Sequence, residues 1–106
     1  MTFNADLYTQ LLNEKLGTTN YETQVITIIT SVIDGKYTTT EIRAFEKELN
    51  EKDPQYNYKV KRELCTYEIQ TNKNIPVCWN ITFEVTPKNK NEETTNYKTI
   101  ESVVVN

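Results

Sequence analysis

The chain has 106 residues, a net charge of −3, no histidine, two cysteines and only two glycines. The length fits one domain with one modest core. The missing histidine removes the commonest general base and any Cys–His or Ser–His pair, and two glycines are too few for a Walker loop or a dinucleotide fingerprint, so neither an enzyme nor a bound cofactor is expected.

Residues 4–16, NADLYTQLLNEKL, read as a helix. Leu7, Tyr8, Leu11, Leu12 and Leu16 form one stripe at helical spacing. Asn4 suits the N-cap, Phe3 and Tyr8 sit where a hydrophobic staple would sit, and Gly17 suits the terminus. The stripe fits a core face or a dimer seam equally well.

Residues 20–34 carry two conflicting signals. Tyr21, Val25, Ile28, Ile29, Val32 and Ile33 trace one helical face, and Thr19-Asn20-Tyr21-Glu22 has the form of a capping box. The run VITIITSVI, however, is mostly β-branched, which favours a strand. Propensity differences are only a few tenths of a kcal/mol per residue, so periodicity and cap together predict a helix.

Asp34-Gly35 between apolar runs is a hairpin signal. The partner strand it would create, Thr38-Thr39-Thr40-Glu41, has no apolar face to bury. As helices, the same letters all find a use. Gly35 ends one helix, Thr38-x-x-Glu41 caps the next, and Ile42, Phe45 and Leu49 recur at helical spacing through residue 52. Glutamates of that helix suit i,i+4 pairs with Lys47 and Lys52.

Asp53-Pro54 then has the form of an N-cap and first helical residue, with Tyr56, Val60, Leu64 and Tyr67 following at i, i+4, i+8 and i+11. A strand over YNYKVKRELCTYEI needs a phase slip or bulge between Val60 and Tyr67. A helix over 54–67 needs none and is the expectation. Val77, Trp79, Ile81, Phe83 and Val85 alternate with polar residues and predict a strand, with Trp79 in the core and a short partner around Tyr67–Gln70. Residues 87–96 read as a polar loop and 97–105 as a closing strand, added to the sheet or exchanged with a second subunit.

Cys65 would then lie on a helix and Cys78 on a strand's polar face, so no disulfide is expected. Two thiols alone make a poor zinc site, and no metal is expected. Nothing at the start, MTFNADLYTQLL, has the form of a signal peptide, and no apolar run approaches a membrane span. The expected location is cytoplasmic, with reduced thiols. Asn80-Ile81-Thr82 matches a glycosylation sequon that this location would make a chance match.

The element order is helix, Tyr-Thr-Thr connection, helix, tight turn, helix, β-hairpin. On VITIITSVIDGKYTTTEIRAFEKEL, YNYKVKREL and YEIQTNKNIPVCWNITFEV, residues 25–86 resemble the winged helix-turn-helix superfamily. The resemblance implies an α+β fold: one domain over 1–106, with an N-terminal helix in 1–17, a winged-helix core in 20–86, and a loop and C-terminal strand in 87–106. It places residues 54–67 as recognition helix and 71–76 as wing. The helix face opposite Tyr56, Val60 and Leu64 would carry Asn57, Tyr58, Lys59, Lys61 and Arg62 toward double-stranded DNA, with Asn72, Lys73 and Asn74 at the wing.

Lys59, Lys61, Arg62 and Lys73 against Glu63 and Glu68 make residues 54–80 net positive within a negative chain. The first expectation is therefore a sequence-specific DNA-binding homodimer, a regulator or a plasmid transfer-origin binder, with no membrane and no small-molecule substrate. The second is a small acidic protein-binding module of phage-inhibitor or immunity type, in which Lys61 and Arg62 are bystanders and Glu46, Glu48 and Glu51 matter. The lysines and arginine also suit a plain solvated face.

Overall fold

The computed structural model describes residues 3–17, 22–32, 37–64, 77–88 and 94–105. Their order is α1 (Ala5–Lys15), β1 (Thr23–Val32), α2 (Thr39–Lys52), β2 (Tyr56–Leu64), β3 (Val77–Pro87) and β4 (Thr95–Val105). The strands form one mixed sheet in the order β2-β3-β1-β4, with β3 antiparallel to both neighbours and β4 parallel to β1. This is an α+β fold built on a four-stranded sheet, and it overturns the winged-helix expectation. Two segments expected as helices are strands.

The first is β1. Thr27, Ile28, Ile29 and Thr30 are β-branched and sit comfortably in a pleated strand. Ile26, Ile28 and Thr30 face the core, while Val25, Thr27 and Ile29 occupy the other face half-buried. A central strand carrying apolar residues on both faces fits almost any periodicity, and that produced the false helical stripe.

The second is β2. Tyr58 and Val60 are buried, and Asn57, Lys59 and Lys61 between them are exposed. Residues spaced four apart share a face on a strand as they do on a helix, so Tyr56, Val60 and Leu64 satisfied both. Asp53 closes α2 as its C-cap instead of opening a new helix, and its carboxylate accepts the Gln55 N–H at 3.1 Å. The expected β3 partner around Tyr67–Gln70 lies outside the described residues. So do Gly35, Cys65 and the wing residues Asn72, Lys73 and Asn74. The partner that β3 has in the structure is β2, from Tyr56↔Pro87 to Leu64↔Trp79.

Several local expectations are met. Asn4 caps α1 by accepting the Leu7 N–H, and Phe3 stacks on Tyr8 at 4.7 Å. Thr38 and Glu41 form the capping box of α2, and Lys47–Glu51 and Glu48–Lys52 pair along its exposed side. Glu41 also accepts the Phe3 N–H at 2.7 Å, and that bond holds its carboxyl below the usual range. β3 alternates as read, with Trp79, Ile81, Phe83 and Val85 buried. The 95–105 strand joins the sheet beside β1.

Both helices cover the same face of the sheet. Tyr8 and Leu12 of α1 and Ile42, Phe45 and Leu49 of α2 pack against Ile26, Ile28, Val60, Ile81 and Phe83. Phe3, Tyr37, Trp79 and Phe83 extend an aromatic cluster through this layer. Tyr8 Oη lies 2.8 Å from Thr30 Oγ1 and 3.1 Å from Tyr37 Oη, so these buried hydroxyls satisfy one another. Burial pushes both phenols above their usual pKa. Gln24, also buried, clamps the chain after α1: its Oε1 accepts the Gly17 N–H at 2.7 Å and its Nε2 donates to the Gly17 carbonyl at 3.3 Å. A Cβ at position 17 would stand 3.1 Å from that Oε1, so any larger residue would make the Gln24 amide give by a few tenths of an ångström.

The edge at β2 is closed by α2. Alternate residues of an edge strand turn their N–H and C=O outward, where another chain could pair with them. Here the Asn50 amide meets both groups of Tyr58, accepting from its N–H at 2.8 Å and donating to its carbonyl at 3.0 Å. Glu46 accepts from the Val60 N–H at 2.8 Å, and Arg43 donates to the Val60 carbonyl while pairing with Glu46 at 3.0 Å. Asn50→Ala strands one donor and one acceptor at a half-exposed edge. The expected loss is about 1–2 kcal/mol, read as a lower urea midpoint at unchanged m.

Candidate functional site

The residues expected to face DNA together are divided by the sheet. Asn57, Lys59 and Lys61 stand at every second position of β2 on the face away from the helices. Cross-strand register continues the Lys61 row through Thr82 and Thr27 to Thr99, and the Lys59 row through Glu84 and Val25 to Tyr97. Thr27 and Thr82 hydroxyls meet at 3.3 Å. Tyr97 is 75% exposed here. This face carries as many described carboxylates, Glu63 and Glu84, as lysines, so it has no net positive field.

Tyr58 and Arg62 point the other way. Tyr58 is buried and donates its hydroxyl to Asp53 at 2.8 Å; burial, and then that bond, raise its pKa. Arg62 reaches the N-terminus of α2, donating to Thr39 Oγ1 at 3.0 Å, and its guanidinium stands 5.2 Å from the centre of the Trp79 ring.

A cleft of about 480 Å³ opens at this place, between the start of α2 and the end of β2. Ile42, Leu64 and Trp79 supply apolar wall and Arg62 a positive charge, while Arg43 at the rim is paired with Glu46, and Lys61 and Glu63, one of each sign, belong to the opposite face of the sheet. Leu64 is 55% exposed, unusual for a leucine at a position facing the core side of the sheet. Trp79 is only 7% exposed, and its Nε1–H is buried with no acceptor among the described residues. A buried donor left unpaired costs about 1–3 kcal/mol, which native proteins seldom leave uncompensated. The cleft therefore offers a guanidinium with N–H groups to spare, above an indole whose own N–H is closed off from solvent.

Arg43, Thr39, Leu64 and Trp79 were not singled out from sequence as site residues. Trp79 was rightly placed in the core by its alternation, and nothing local marks its indole nitrogen as unpaired. Only the approach of α2 to β2 brings Arg43 and Arg62 together.

Cys78 is disulfide-bonded, against the expectation of reduced thiols. It stands on the half-exposed face of β3, across from Ser31 of β1. The one other cysteine of the chain, Cys65, lies outside the described residues. Among the described residues no cluster of carboxylates or thiols could hold a metal ion, and no helix is long and apolar enough to cross a membrane.

Comparison with protein-family models, with curated proteins and with solved structures gave no match in any of the three.

Proposed function

We propose that this domain is a binding module for a protein partner, without a catalytic step, and that the cleft beside Arg62 and Trp79 is where the partner docks. The observation that carries this reading is the Arg62 guanidinium held over the Trp79 ring beside the half-exposed Leu64. Apolar wall next to unsatisfied donors is the composition of an anchor pocket in a protein interface.

The DNA-binding reading rested on a recognition helix presenting Asn57, Lys59, Lys61 and Arg62 together. As a strand, the segment sends Arg62 to one face and the others to the opposite one. The chain total of −3 adds no attraction for phosphate. A homodimer through the N-terminal stripe also loses support, since Tyr8 and Leu12 are committed to the core. β4 is the remaining element for self-association, because it is the sheet edge that α2 does not cover. The disulfide at Cys78 favours an oxidising compartment over the cytoplasm.

Two assays separate the partner classes. Fluorescence anisotropy with an AT-rich duplex across a salt series is expected to give no binding. Affinity falling on a log–log line with salt would assign the domain to DNA instead. In a matched pull-down, the native protein is expected to retain a protein that Arg62→Gln bait loses. Equal retention by both baits would remove the cleft from the interface.

A further inference from the structure

The two edges of the sheet are finished differently. At β2, the side chains of Asn50, Glu46 and Arg43 occupy the backbone groups that turn outward. β4, at the other edge, has β1 as its one neighbour in the sheet, and among the described residues no side chain bonds its outward backbone groups. We infer that β4 pairs antiparallel with β4 of a second copy of this chain, about a two-fold axis at Tyr97, so that the two sheets join into one. The inference stands apart from the cleft, which lies toward the β2 edge.

Only part of β4 offers a regular edge. Its register with β1 shifts between Ile100 and Val103. A bulge bends a strand and breaks the ladder locally, so the regular stretch is Thr95 to Ile100. Lys98 is the one charged residue in it. A lysine on an edge commonly deters a second strand. This one is tied down, its Nζ donating to the Lys15 carbonyl at 2.7 Å and to Gln24 Oε1 at 3.2 Å. Beside it Tyr97 stands out to solvent, and Tyr97 and Leu64 are the large hydrophobic residues left exposed among the described residues.

The order of residues selects a second copy as the occupant. Thr95-Asn96-Tyr97-Lys98-Thr99 is close to symmetric about its centre. Thr95, Tyr97 and Thr99 lie level with Thr23, Val25 and Thr27 of β1, on the face away from the helices. An antiparallel pair centred on Tyr97 sets Thr95 opposite the second copy's Thr99 at both ends, and Tyr97 opposite its own mate. Threonine pairs and aromatic pairs are favourable across strands. Asn96 then meets Lys98, so no like charges oppose each other. A pair centred on Lys98 would set two lysines face to face, and one centred on Thr99 would set Tyr97 opposite Glu101, where β4 is bulged. An unrelated extended peptide could use the same backbone groups but would not match this symmetry. The row Lys59-Glu84-Val25-Tyr97 would continue unbroken through the second copy.

Sedimentation equilibrium on the native protein, over concentrations up to about 1 mM, is expected to show a reversible monomer–dimer equilibrium. Tyr97→Lys sets two charges opposite each other at the axis and should raise the dissociation constant at least tenfold. The exposed position of Tyr97 leaves the fold intact, which an unchanged near-UV circular dichroism spectrum checks. Cross-linking then reads the register. Under mild oxidation Tyr97→Cys should form a covalent dimer, Thr99→Cys alone should not, and a mixture of Thr95→Cys with Thr99→Cys should, with the native protein treated alike as control. A native protein that stays monomeric throughout overturns the inference. So does a dimer that Tyr97→Lys leaves unweakened, or one that Thr99→Cys cross-links and Tyr97→Cys does not.

Discussion

Replacing Phe83 by alanine is expected to lower the unfolding free energy by about 3–5 kcal/mol, as for other buried Phe→Ala changes. Phe83 is fully buried at the middle of the central strand β3. Its cross-strand neighbours are Ile26 of β1 and Val60 of β2, both fully buried, and Phe45 of α2 meets its ring edge-on at 5.9 Å. Those neighbours are fixed by backbone ladders on two sides, so they cannot move in to fill the space, and the loss belongs in the upper half of that range. A domain of this size has about 5–15 kcal/mol in total, so roughly a third or more of its stability is at stake. Urea unfolding at 25 °C reads the change as a fall in midpoint with little change in m. Phe83→Leu, which keeps most of the volume, should cost about 1–2 kcal/mol. A loss below that for the alanine variant would mean that the layer between α2 and the sheet is not packed as described.

The second large effect is expected from Cys78. Cys78→Ser should cost about 2–4 kcal/mol, the usual worth of a disulfide. The cross-link acts chiefly on the unfolded chain, by removing conformations that the open chain would regain. It also sits beside Trp79, so the strand end that forms the cleft wall is tethered where the ladder would otherwise fray. The native protein in a strong reductant should unfold at the midpoint of the serine variant, and the reductant should leave the variant unchanged. Thiol titration without reductant should find no free thiol in the denatured native protein. Two free thiols in protein made under oxidising conditions would remove the disulfide, and with it the argument for an oxidising compartment.

The two helices that survived from the sequence reading are those with specific end signals. Asn4 with the Phe3–Tyr8 staple, and Thr38 with Glu41, are local arrangements whose bonds form within a few residues. The two helices that failed rested on periodicity and on end signals that the structure uses otherwise, as Asp53 closes α2, or that fall outside the described residues, as Thr19 and Gly35 do. For β1 the β-branched content was the better evidence, because a central strand has no polar face to reveal a period of two. For β2 the expected helix and the observed strand put Tyr56, Val60 and Leu64 on one face alike, and Tyr58 and Arg62 distinguish them: on the opposite face of a helix, on the core side of this strand. The register of β2 with β3 is unbroken from Tyr56 to Leu64, and the residues beyond it, where the strand reading needed a bulge, lie outside the described residues.

The candidate site was less legible still. Lys61 and Arg62 were noticed as adjacent charges and assigned to one surface, but a strand's alternation sends neighbours to opposite faces. Arg43 was one charge among many on α2. Its role at the Val60 edge depends on a segment 17 positions away, a separation no local pattern encodes.

The sequence alone determined the caps of α1 and α2, the alternation of β3 and its buried Trp79, the closing strand, and the lack of histidine chemistry. These depend on contacts between residues near one another in the chain. Tertiary structure decided the rest. It made 23–32 and 56–64 strands, because pairing with β3 satisfies their backbone groups and buries Ile26, Ile28, Tyr58 and Val60 in one layer. It linked Cys78 in a disulfide, and it brought Arg62 over Trp79. Each of these outcomes is a comparison between long-range partners, and their free energy is set by what meets across the sheet.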